Sequence, residues 1–87
     1  MVGNPRRRAS KRNAERRRAL ELLAASPDGA TEAILLAHGI TVEMLADMVR
    51  AGLATAKAER VVAGGRSMEV VRVRITEAGR RALAERR

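Results

Sequence analysis

Glu43 and Asp47 lie four residues apart, and Arg50 follows three further on. On a helix this spacing sets the two carboxylates side by side, as a general acid and base would have to be. Nothing else completes such a site. His38 is the only histidine and sits beside Gly39, a place for capping or packing rather than for a ligand or a base. Ser10, Ser26 and Ser67 fall in a basic stretch, a turn and a loop, with no base positioned beside them. "AGGRS", residues 63–67, has adjacent glycines but no Gly-Lys-Ser/Thr ending and no helix after it, so it reads as a hairpin tip and not as a phosphate loop. Cysteine is absent, which removes thiol nucleophiles, disulfides and thiolate metal sites. The expectation is a protein that is not an enzyme and uses no metal and no cofactor.

Cations supply the remaining chemistry. The chain has 87 residues and a formal charge of +8, and the charge is unevenly placed. Residues 1–18 hold Arg6, Arg7, Arg8, Lys11, Arg12, Arg16, Arg17 and Arg18 against Glu15 alone. Residues 27–53 are acidic, with Arg50 against Asp28, Glu32, Glu43 and Asp47, and residues 54–76 turn basic again through Lys57, Arg60, Arg66, Arg72 and Arg74. Like charges with nothing apolar among them stay solvated, so residues 1–13 read as a flexible basic arm and residues 14–87 as the folded domain. Such an arm suits a polyanion, because each phosphate it neutralises releases condensed counterions; a solubilising tail is the plainer alternative. Glu15 and Glu21 argue against a transit peptide.

A chain this short holds one thin core. With no Phe, Tyr or Trp, that core is built from Leu, Ile, Val, Met and Ala, and no base can stack on an aromatic ring. Apolar runs such as "AILLA" fall far short of the roughly 20 residues that span a bilayer, and lack of cysteine fits a reducing compartment, so a soluble cytoplasmic chain without a membrane partner is expected. The Arg-, Ala-, Gly- and Val-rich composition resembles that of a GC-rich bacterial genome.

The elements that must position these groups follow from periodicity. A first helix capped by Ser10 or Asn13 carries Ala19, Leu20, Leu22 and Leu23 and stops at "SPDG". Thr31 caps a second, with Ile34, Leu35 and Ala37 buried, and Thr41 caps a third that ends near Ala51. Val42, Leu45, Met48 and Val49 share the buried side of the third helix, with Met44 at its edge, leaving Glu43, Asp47 and Arg50 outward. Residues 53–76 then alternate with period two, the pattern of a hairpin with one buried face. A two-residue turn at Gly64 and Gly65 sets Ala54, Ala56 and Ala58 opposite Ile75, Val73 and Val71, all on the buried face. Lys57, Arg72 and Arg74 are then outward and exposed. Thr76 opens a last short helix.

Three helices, a two-stranded hairpin and a short C-terminal helix make an α+β order that resembles a winged helix-turn-helix. "TEAILLAHGITVEMLADMVR" is similar to the helix-turn-helix pattern, with Ile34, Ile40, Leu45 and Met48 at its apolar positions and Gly39 at its turn. "MVRAGLA", the hairpin and "VRVRITEAGRRAL" resemble the stretch of multiple-antibiotic-resistance-repressor (MarR) proteins in which the recognition helix ends, the wing follows and a Thr-x-x-Gly opens the next helix. The resemblance implies a small DNA-binding protein that regulates transcription. Because the outward side of the third helix is acidic, the grip is expected from the arm (Arg6, Arg7, Arg8, Lys11, Arg12), from Arg16 and Arg17 just after it, and from the wing (Lys57, Arg66, Arg72, Arg74), with Arg66 at the minor groove and Arg50 alone to read guanine. A winged helix that docks a protein through the acidic third helix, and a binder of structured RNA such as a ribosomal surface, remain open. A homodimer is common for this fold, although no long apolar stripe marks its interface.

Overall fold

Proline costs a helix nothing at its first position, where the N–H has no intrahelical partner, and the first helix, α1 (Pro5–Ala24), opens on Pro5. The computed structural model describes residues 5–85, with side chains from residue 11 onward. The helix thus starts one to two turns before the expected Ser10 or Asn13 and runs unbroken across the boundary drawn at residue 13. Arginine, lysine and alanine are strong helix formers, and their preference carries the helix past its last apolar residue. Residues 1–4 of the expected arm lie outside the described residues, as do the side chains of Arg6, Arg7 and Arg8. Ala19, Leu20 and Leu23 form the buried stripe of α1.

A two-residue strand, β1 (Ala30–Thr31), leads directly into α2 (Glu32–Ala37), and α3 (Val42–Arg50) follows after Gly39. Each helix has its threonine cap as expected: the Thr31 hydroxyl accepts from the Ile34 N–H at 3.3 Å and the Thr41 hydroxyl from the Met44 N–H at 3.0 Å. Burial on these helices differs from the expected stripes. On α2 only Leu35 is buried; Ile34 and Ala37 are exposed. A six-residue helix pinned to a strand at its front end offers the core one position. On α3 the buried residues are Met44, Leu45 and Met48, while Val42 and Val49 are exposed. The stripe is turned toward Met44 because α1 packs on that side, whereas the other side looks onto small Ala56 across an open groove.

The hairpin, β2 (Ala54–Ala63) and β3 (Arg66–Ile75), has the expected register throughout, from Ala54 opposite Ile75 to Ala63 opposite Arg66. Its turn is Gly64 and Gly65, both with positive φ. The third strand is unexpected: β1 pairs antiparallel with β3, Ala30 opposite Val73, giving the order β1-β3-β2. Two residues carry no periodicity that a sequence could show. The expected facing holds only at the base. Ala54 and Val73 are buried, Val71 and Ile75 half-buried, and Ala56 and Ala58 exposed, because the helices cover only the end of the sheet nearest them. The outer half of the hairpin projects with both faces in solvent.

The last helix, α4 (Glu77–Ala84), is seated by Thr76. Its hydroxyl accepts from the Gly79 N–H at 3.0 Å and donates to the Gly52 carbonyl at 2.7 Å. Gly79 is required for closeness, since a Cβ there would stand 2.2 Å from the Leu53 carbonyl oxygen. Among the described residues the result is an α+β fold of four helices and a three-stranded antiparallel sheet. The molecule measures 55 × 30 × 19 Å, and its radius of gyration of 14.7 Å exceeds the roughly 12 Å of a compact chain of this length. Among the described residues no helix is long and apolar enough to cross a membrane.

Candidate nucleic-acid interface

The candidate cations fall into three groups. The first rides on α1. Residues 11–15 are all exposed, so Lys11 and Arg12 are carried by helical backbone that the core does not cover. Helical backbone also runs through residues 6–8. At about 1.5 Å of rise per residue, the five cations from Arg6 to Arg12 are spread over less than two turns. Arg16 and Arg17, closer to the core, are half-buried. Arg17 Nε donates to Glu21 at 3.2 Å, and the buried Nε of Arg16 has no hydrogen-bond partner.

An open cleft of about 510 Å³ separates Lys11 and Arg12 of α1 from Glu43 and Asp47 of α3. The cations of α1 therefore face the acids of α3 across solvent, and no ion pair closes the gap among the described residues. Arg50, the second group, lies at the end of α3 and is ion-paired to Asp47. It remains largely exposed, but its guanidinium already has a carboxylate.

The third group is the hairpin. Lys57 and Arg66 are exposed as expected. Arg72 and Arg74 are half-buried, which corrects the expectation that both would be open. Glu59 holds them, with Arg72 Nε donating at 2.8 Å and Arg74 Nη1 lying 3.6 Å from the other carboxylate oxygen. Their stems cross Gly29, where a Cβ would come within 2.8 Å of both Cγ atoms. The hydrogen bond from Arg72, aided by the charges of Arg72 and Arg74, keeps the Glu59 carboxyl below the usual carboxylate range.

The candidate residues expected from the sequence did not include Glu59, which clamps two of them. The signal was available, because Glu59 shares the outward parity of Arg72 and Arg74. The expected grip also did not include Arg60, which is exposed near the tip and donates to Ser67 Oγ at 3.2 Å. Among the described residues no hydrogen bond or ion pair links the three groups to one another. No family model matches this chain, and neither a curated protein nor a solved structure does.

Proposed function

We propose that this chain is a winged-helix DNA-binding protein, in which α2 and α3 form the helix-turn-helix and the β2–β3 hairpin the wing, and that it acts in transcriptional regulation. One observation carries the reading: the eight cations among residues 1–18, opposed there by Glu15 alone, stand on a helix whose residues 11–15 are uncovered. A rigid basic rod of this kind follows a phosphate backbone without the ordering cost of a floppy arm. The hairpin adds Lys57 and Arg66, whereas Arg72 and Arg74 are partly spent on Glu59. The acidic α3 contributes little affinity, since Glu43 repels phosphate and Asp47 occupies Arg50.

The test is a titration of the full chain with random-sequence duplex DNA at two salt concentrations, beside a variant with Arg6, Arg7, Arg8, Lys11 and Arg12 changed to Gln. Each phosphate contact contributes about −0.9 to the slope of log affinity against log salt, so the variant's slope should flatten by up to roughly 4.5 units. Glu43→Gln with Asp47→Asn should tighten binding several-fold by removing repulsion. Salt-independent or absent binding of the full chain would refute the proposal. A second reading, docking of a protein on α3, is favoured by the exposure of Val42 and Val49 beside Glu43 and Asp47. Loss of a captured protein partner on neutralising those acids, with DNA affinity unchanged, would select it.

A further inference from the structure

The sheet order leaves β2 as an edge. That edge carries the charges of Lys57, Glu59 and Arg60 but little other protection. It runs ten residues without a bulge, contains no proline, and from Ala56 outward is exposed apart from the partly covered Glu59 and Val61. Strands of this length with open backbone groups are templates for pairing. The phase of the open groups is fixed by the turn. Closure of a two-residue turn bonds Ala63 to Arg66, so alternate β2 residues, the odd-numbered ones, face β3. The bond from the Thr76 N–H to the Leu53 carbonyl, 3.0 Å, extends that phase past the strand's other end. The N–H and C=O of Ala56, Ala58, Arg60 and Val62 therefore point away from the molecule.

We propose that β2 pairs antiparallel with β2 of a second copy, about a two-fold axis through Ala58, to make a continuous sheet. Charge selects this register. With the dyad at Ala58, Lys57 of each copy stands opposite Glu59 of the other, and Arg60 stands opposite neutral Ala56. Moving the dyad one residue either way sets Lys57 against Lys57 or Glu59 against Glu59. The same placement makes Ala58, Ala56 and Arg60 the bonded positions, matching the groups that point outward, and gives about six backbone bonds across the centre. Lys57 and Glu59 then fall at the unbonded positions, where side chains come closest.

Each copy is also unbalanced on its own. Lys57 lies directly opposite Arg72 in its hairpin, a like-charge pair, while Glu59 is drawn to Arg72 and Arg74. The second copy brings Lys57 a carboxylate. Val62, 72% exposed, is set against Ala54 of the other copy, two residues from Ala56 in the groove where Val42 and Val49 lie uncovered. The contact is small beside the roughly 800 Å² per partner of a standard interface, so a dissociation constant in the range of tens of micromolar is expected.

Sedimentation equilibrium of the full chain, from about 10 µM to about 300 µM, should show a monomer–dimer equilibrium. Ala58→Pro deletes the N–H at the dyad but none used within the hairpin, and should weaken the dimer at least tenfold while circular dichroism stays unchanged. Lys57→Glu and Glu59→Lys should each fail to self-associate, yet associate when mixed, because their charges are complementary in this register. A wild type that stays monomeric over the whole range overturns the proposal. So does an Ala58→Pro chain that dimerises as the wild type does, or a mixture of the two charge variants that associates no better than either alone.

Discussion

Glu59 shows how one side chain redistributes the charge of a surface. Its carboxylate takes up Arg72 and Arg74, so two of the hairpin's cations are held while Lys57 and Arg66 stay open. A carboxyl whose pKa is lowered on folding adds stability above the usual carboxylate range and loses it as pH falls through the lowered value. Glu59→Gln is accordingly expected to lower the Tm at pH 6, with the gap to wild type closing as pH drops below about 4. A gap that persists at the acid end would mean that the clamp is packing and not charge. Gly79 acts through contact alone. Gly79→Ala drives a methyl into the Leu53 carbonyl, at a cost of about 1 to 3 kcal/mol, and a thermal melt should record it as a fall of about 4 to 8 °C per kcal/mol.

Among the elements, the three short helices depend on their caps. Thr41→Ala removes the acceptor of the Met44 N–H and should cost about 1 kcal/mol, read from urea unfolding at unchanged slope; an effect near zero would show that water replaces the hydroxyl without loss. The threonines were legible because a cap is local: Thr31, Thr41 and Thr76 each precede an apolar-periodic segment. The hairpin register was legible too, since Gly64-Gly65 and strict alternation leave little freedom. Burial was not. Whether Ile34, Val42, Ala56 or Ala58 is covered depends on where a neighbouring element ends, and alternation gives the face of a residue without saying how far the opposite layer reaches. The strand β1 escaped for a related reason, being defined by its partner Val73 and not by its own two residues. In the candidate interface, the location of cations could be read from the chain directly, but their pairing with Glu59 only by combining the hairpin register with the parity of the strands. Glu59 and Arg72 are thirteen residues apart, and the hairpin brings them together.

At the scale of the whole molecule, the core comprises, among the described residues, eleven buried hydrophobic residues without an aromatic ring. A domain of this size has little stability in reserve, so single truncations weigh heavily. Leu23 has no exposed surface, and Leu23→Ala should cost about 2 to 5 kcal/mol of a total on the order of 5 to 15, lowering Tm by about 10 to 30 °C. A smaller fall would mean that α1 and the sheet close over the gap. Mechanically, the core holds the hairpin by one end only. Its strands rise about 3.4 Å per residue, so the tip stands about 17 Å beyond Val71, where cover ends, and a rotation of about 10° there swings Arg66 through about 3 Å. The hairpin is a lever whose fulcrum lies where β1 pairs with Arg72 and Val73, and the stiffness of that seat, far from the tip, sets the radius that Arg66 can sweep.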